Sequence, residues 1–129
     1  MEPGKIGLLV VDHNPMIREG LSLLIRLEPD LELLAVAETA DDGVALFRKH
    51  RPDVTLMDLD LPDGAGITAV EQIRIIDPST PILGLLTYEW DERAEAGIRA
   101  GASSYVTKDR LHHELIPRIR ELLRALNSK

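Results

Sequence analysis

Short, largely apolar runs alternate along the whole chain with segments whose apolar residues recur every three or four positions. Ile6-Gly-Leu-Leu-Val-Val11 is apolar throughout, partly β-branched and bounded by polar residues, which predicts a strand covered on both faces. Asn14-Pro15 then supplies a capping side chain and a residue whose missing N–H costs nothing at the first helical position. The helix opened there carries Ile17, Leu21, Leu24 and Leu27 on one face and stops before Pro29. Residues 31–37 predict a second strand, and residues 41–50 a helix with Val44 and Phe47 turned inward. Residues 54–57 predict a third strand, followed by a loop with Pro62, Gly64 and Gly66 and a helix with Val70, Ile73 and Ile76 inward. A fourth strand is expected over 81–86, a fourth helix over 90–100 ending at Gly101, and a fifth strand over 103–107. The last helix spans 111–126, with Leu111, Leu115, Leu122 and Leu126 on its core stripe.

Five strand–helix pairs in 129 residues leave roughly 26 residues per unit, close to a compact βαβ motif and with no linker to spare. The expected fold is α/β: a single domain over 1–129, built as a three-layer, doubly wound five-stranded parallel sheet of the (βα)5, flavodoxin-like kind. Any site in such a sheet falls at the carboxyl ends of the strands, where the strand order reverses. Aromatic residues are 3% of the chain, so the core must be aliphatic.

Composition narrows the partners. A net charge of -7 and a pI near 5.0 oppose a nucleic-acid-binding surface, which needs clustered Lys and Arg. With no cysteine, there is neither a disulfide framework nor a thiolate metal site, so any metal is held by oxygen or histidine. No apolar run approaches the ~18 residues of a membrane span, and Met-Glu-Pro-Gly-Lys lacks the order of a signal peptide, so a soluble, cytoplasmic protein is expected.

Four polar residues stand at the ends of four apolar strands: Asp12, Asp58, Thr87 and Lys108. Singly, each suits a turn or a solvated rim. Together, two carboxylates, a hydroxyl and an ammonium on one rim are the parts that handle a phosphoryl group. Acidic oxygens hold Mg²⁺, a carboxylate can act as nucleophile, and Thr and Lys donate to phosphoryl oxygens. The segments Leu9-Val-Val-Asp12, Leu56-Met-Asp58-Leu-Asp-Leu-Pro62, Leu86-Thr87 and Tyr105-Val-Thr-Lys108 resemble the CheY-like receiver domain of two-component response regulators, over essentially the whole chain. Arg18-Glu-Gly-Leu21 and Arg99-Ala-Gly-Ala102 look like the receivers of NarL/LuxR-type transcription regulators.

The resemblance implies that Asp58 is the phosphoacceptor for a sensor histidine kinase or phosphotransfer protein, and that Thr87 and Lys108 bind the phosphoryl oxygens. It implies a metal pocket of Asp12, Asp58 and the backbone carbonyl of Asp60, with Thr87 and Tyr105 as switch residues. A homodimer formed on phosphorylation and a C-terminal helix-turn-helix domain in a longer parent are both compatible with it. The chain is then a regulatory phosphoacceptor rather than an enzyme acting on an external substrate; no Gly-rich phosphate loop or Ser elbow suggests a hydrolase.

Three positions depart from the family pattern. His13 stands where most receivers have a second acid that ligates the metal directly. Mg²⁺ prefers oxygen in an octahedral shell, so weakened Mg²⁺ binding is expected. Three outcomes stay open: direct approach of Asp12 to the metal, a shift to softer divalent ions that accept nitrogen, or a degenerate receiver that signals by phosphorylation-independent protein contact. Tyr88 follows Thr87 where small residues are common, and its ring either controls access to the acceptor or points to solvent. Asp109 replaces a proline common after the lysine, so a trans Lys108–Asp109 bond is expected. His112 and His113, adjacent on a helix, are expected to diverge and to be solvated, as are Arg118, Arg120 and Arg124. Trp90 is either an exposed anchor or packed under its loop.

Overall fold

The computed structural model describes residues 4–89 and 91–127. The chain alternates strand and helix throughout: β1 Ile6–Val11, α1 Pro15–Arg26, β2 Leu31–Ala37, α2 Ala40–His50, β3 Val54–Asp58, α3 Ala65–Ile76, β4 Ile82–Leu86, α4 Glu92–Ala100, β5 Ser104–Thr107 and α5 Leu111–Asn127. The five strands form one all-parallel sheet in the order β2-β1-β3-β4-β5. The order reverses between β1 and β3, which opens a crevice at their carboxyl ends.

Successive strand residues face opposite layers, and both layers are apolar. Leu8, Val10, Leu56, Leu83 and Leu85 pack with Leu21 and Ile25 of α1 and Leu115 and Ile119 of α5. Leu9, Val11, Met57, Ile82 and Leu86 pack with Val44 and Phe47 of α2, Val70 and Ile73 of α3, and Ala94 of α4. Each fully buried aliphatic side chain of this kind contributes about 1.5–3 kcal/mol, and this is why largely apolar runs become strands here.

Differences from the sequence reading are local. Helix α4 starts at Glu92, not 90, because the Asp91 side chain caps it by accepting from Arg93 N at 2.9 Å; Trp90 lies outside the described residues. Thr39 caps α2, which therefore begins at Ala40. Strand β3 runs one residue further, through Asp58, while β4 and β5 begin one residue later, at Ile82 and Ser104. Pro81 has no N–H to donate, although its carbonyl still accepts from Thr55 N at 3.1 Å. In α1, Leu27 lies past the last turn and is exposed, and Ile25 is buried in its stead. In α5, Ile119 is fully buried whereas Leu126 is exposed near the helix end. That helix also tolerates Pro117. Two short 3₁₀ turns, Pro62–Gly64 and Lys108–Arg110, carry no apolar periodicity and leave no trace in the sequence pattern.

Backbone contact fixes how α3 sits on β3. A Cβ on Gly66 would lie 2.0 Å from the Asp58 carbonyl oxygen, so only glycine lets the first turn of α3 close on the residue that ends β3. At the far end of α3, Arg74 donates through Nε to the Gly101 carbonyl at 3.1 Å and through Nη1 to the Thr80 carbonyl at 2.7 Å. This joins α3 to the chain entering β4 and to the end of α4.

Candidate functional site

Because β1 and β3 are neighbours, Asp12, just past β1, and Asp58, the last residue of β3, come together, and both are fully buried. Lys108, immediately after β5, reaches across β4 to place Nζ 3.1 Å from Asp58 Oδ1 and 3.0 Å from Asp12 Oδ2. Burial pushes the Asp12 carboxyl above its ordinary pKa and the charge of Asp58 adds to this, while Asn14 N–H and Lys108 offset part of it. Burial opposes the Lys108 ammonium as well, but the two carboxylates outweigh burial and hold its pKa above the usual value. Two carboxylates share one ammonium, and the pocket is short of positive charge.

Local structure orients each carboxylate. Asp12 Oδ1 accepts from Asn14 N at 2.8 Å, and Arg18 Nη1 donates to the Asp12 carbonyl at 2.7 Å. Asp58 Oδ1 accepts from Asp60 N at 2.9 Å. His13 Nδ1 lies 2.5 Å from Asp58 Oδ2, and His13 N donates to the same oxygen at 3.3 Å. The imidazole therefore rests on the carboxylate of Asp58, with half of its own surface exposed.

Thr87 follows β4 on the same rim, but its partner is Asp60 rather than Asp58. Its N–H and its hydroxyl both donate to Asp60 Oδ2 at 2.7 Å, and Arg93 of α4 donates to Asp60 Oδ1 at 3.1 Å. Burial would raise the Asp60 pKa, yet these hydrogen bonds and the Lys108 charge outweigh it and hold the carboxyl below its ordinary range. The resemblance gave Asp60 only a backbone role; its side chain in fact joins Thr87 to α4. An acid two residues past Asp58 was the only sequence signal for this; nothing in the sequence marked Arg93, and Arg18 stood out only as part of the Arg18-Glu-Gly-Leu21 resemblance, without a role.

Tyr105 is partly buried against the α2–α3–α4 layer, on the side of β5 that faces Ala94 and Ile98. Tyr88 is 67% exposed beside Thr107, Asp109 and Arg110. No cis peptide bond occurs among the described residues, so Lys108–Asp109 is trans. His112 and His113 do not diverge as expected: their ring centroids lie 3.9 Å apart, tilted by 40°, in the first turn of α5. Among the described residues, the one group of three or more metal-ligating side chains with donor atoms in mutual reach is Asp12, His13 and Asp58. Arg118 and Arg120 are not simply solvated. Arg118 donates to Ser104 Oγ at 2.7 Å, and Arg120 binds Asp30 Oδ2 at 2.7 Å and Glu28 Oε1 at 2.8 Å, tying α5 to the α1–β2 turn.

Whether the pocket fits a divalent cation can be judged from its charge. Asp12 Oδ2 is buried and its one partner is the Lys108 ammonium at 3.0 Å, which Asp58 shares. The donor atoms of Asp12, His13 and Asp58 lie within 4.8 Å of one another. Two buried carboxylates that share one ammonium leave net negative charge in the pocket, and this suits a cation. The set fits a divalent ion, with one nitrogen among its oxygens.

An all-parallel sheet in this order, with paired acids and a lysine at its switch point, defines a single-sheet, doubly wound α/β module with an acidic pocket on its rim. The response regulator receiver domain family matches residues 8–120, and the chain belongs to it. It is 38% identical over 125 residues to the uncharacterized transcriptional regulatory protein YxjL of Bacillus subtilis (strain 168), covering 97% of this chain and 57% of that protein. It is 34% identical over 122 residues to the oxygen regulatory protein NreC of Staphylococcus carnosus (strain TM300), covering 92% and 55%. Among solved structures, a LuxR-family two-component response regulator from Aurantimonas sp. SI85-9A1 superposes with a TM-score of 0.87 at 35% identity, covering 94% of this chain and 86% of that one. The chain spans about half the length of the curated relatives it matches. Receiver domains are regulatory phosphoacceptors that bind Mg²⁺ at an acidic site. No helix among the described residues is long and apolar enough to cross a membrane.

Proposed function

We propose that Asp58 accepts a phosphoryl group from a phosphohistidine donor, and that the resulting acyl phosphate resets Thr87, Tyr105 and the outer face of α4. The observation that carries this reading is the convergence of Lys108 Nζ on Asp58 Oδ1 at 3.1 Å and Asp12 Oδ2 at 3.0 Å, from three separate strands. Asp58 Oδ attacks phosphorus, a P–O bond forms and the P–N bond of the donor breaks, with the electron pair leaving on the donor imidazole. Lys108 donates to the phosphoryl oxygens as it already does to Asp58. Asp12, Asp58 and the Asp60 carbonyl, with His13 beside them, would hold a divalent cation, which supplies charge neutralisation for the incoming phosphoryl group.

Thr87 must release Asp60 before its hydroxyl can donate to the phosphoryl group, and this loosens Arg93 and hence α4. A phosphorylation signal thus reaches α4 through side chains already in contact, and Tyr105 lies beside the α4 face that moves. A contact-only, degenerate receiver would need no acceptor pocket. A fully buried Asp58 paired with a nearly buried lysine is costly to keep for that purpose and counts against it. In a longer parent, a DNA-binding partner domain would read the switched face, in keeping with the transcriptional regulators among its relatives. Incubation with acetyl phosphate and a divalent ion should add one phosphoryl mass to wild type and none to Asp58→Asn. Equal uptake by both proteins, or none by wild type, would refute the assignment.

A further inference from the structure

His13 replaces an oxygen ligand with a nitrogen, and the structure shows where that nitrogen points. Its ring is not turned out to solvent: Nδ1 lies 2.5 Å from Asp58 Oδ2 and 4.0 Å from Asp12 Oδ1. The main chain holds it there, since His13 N donates to Asp58 Oδ2 and the Asn14 N–H holds Asp12. Ligand atoms on one ion, at bond lengths of about 2.0–2.2 Å, lie roughly 3–4.4 Å apart, so the 4.0 Å between His13 Nδ1 and Asp12 Oδ1 already fits, while the 2.5 Å contact of His13 with Asp58 opens by about half an ångström as the ion enters. Asp12 Oδ2 is fully buried and met only by Lys108, whose single ammonium also serves Asp58, so the pair of carboxylates retains an excess of negative charge facing His13.

We propose that this pocket takes a divalent first-row transition-metal ion, with His13 Nδ1 as a direct ligand beside the carboxylates of Asp12 and Asp58, in preference to Mg²⁺. This rests on the reading of the pocket as the phosphoacceptor site and specifies its cation. Mg²⁺ sheds water reluctantly and favours oxygen donors. Imidazole suits Fe²⁺, Co²⁺, Ni²⁺ and Zn²⁺, whose borderline character accepts nitrogen; Mn²⁺ is harder, yet it takes a mixed nitrogen and carboxylate set more readily than Mg²⁺ and so is the most stringent probe of the series. The ion would take the place of the direct His13–Asp58 contact. Half the imidazole surface is open, so an ion can enter past the ring without opening the core.

Pulsed EPR on the Mn²⁺-loaded protein tests the ligand without recourse to phosphorylation. Wild type should show ¹⁴N modulation from a bound imidazole, and His13→Asp and His13→Gln, each checked for folding by circular dichroism, should not. In competition titrations, His13→Asp should shift the Mg²⁺ to Mn²⁺ affinity ratio toward Mg²⁺ by at least the roughly tenfold that loss of a ligand-orienting group causes. Nitrogen coupling absent from wild type, or surviving in both variants through another histidine, would overturn the proposal. Phosphoryl uptake is scored separately by mass. Normal uptake without nitrogen coupling sinks the ligand assignment alone, whereas nitrogen coupling without uptake supports it and sinks the phosphoacceptor reading.

Discussion

Asp12 and Asp58 compete for the one ammonium of Lys108, and Asp12 carries the cost. Its folded pKa is raised, so its contribution to stability is fully present below the unfolded value of about 3.9 and is lost as pH rises through the folded value. At neutral pH the ionised Asp12 is a burden that Asn would remove. Asp12→Asn should raise the thermal midpoint by about 3–5 °C at pH 7, and this gain should vanish near pH 3. Calorimetry at both pH values checks it, and a lower midpoint at pH 7 would contradict the charge accounting. Asp60 restrains Thr87 through two hydrogen bonds worth about 1 kcal/mol together, once solvent screening at the exposed Thr87 is allowed for. Asp60→Ala should therefore speed phosphoryl uptake from acetyl phosphate roughly fivefold. Unchanged or slower uptake would show that Thr87 is not held back by Asp60. At this scale the sequence was informative about which residues meet and silent about which atoms. Asp12, Asp58 and Lys108 stand out because each is a charge at the end of an expected strand. The Thr87–Asp60–Arg93 chain depends on where a long side chain on α4 lands after folding, which no local pattern encodes.

Among elements, strands were the most legible, because burial of the central ones leaves short runs dominated by apolar residues, and all five fall within one residue of their expected bounds. Helix ends were less so. Asp91 outranks the preceding residue as a cap, and the two 3₁₀ turns are too short to show a period. The junction between β3 and α3 rests on Gly66. Gly66→Ala should cost about 1–3 kcal/mol, because the added methyl meets main chain rather than a side chain that can turn away. Urea unfolding would measure this, and an unchanged midpoint would contradict the close approach. Arg120 binds Asp30 and so holds its carboxyl below the ordinary pKa. A depressed carboxylate pKa stabilises the fold above the unfolded value and loses that contribution as pH falls through the folded one. NMR titration should find Asp30 protonating at lower pH in wild type than in Arg120→Ala, and coincident titrations would dissociate α5 from the α1–β2 turn.

For the molecule as a whole, the strand order matters more than any single contact. Placing β1 beside β3 brings residues 12 and 58 together, and β5 two places from β3 leaves the reach that a lysine side chain spans. The alternation of strands and helices predicts the layers, but the order of strands within the sheet emerges only when the chain is folded. The net charge of -7 adds a second global feature: a cation at the switch point reduces repulsion across the acidic rim. The most direct test is chemical. Wild-type protein phosphorylated with acetyl phosphate is reduced with borohydride, which traps an acyl phosphate at its carboxyl, and the peptides are then mapped. Label at Asp58 and at no other acid is the expected result; label at Asp12 or Asp60, or at a histidine by direct phosphopeptide mapping, would contradict the assignment of the pocket.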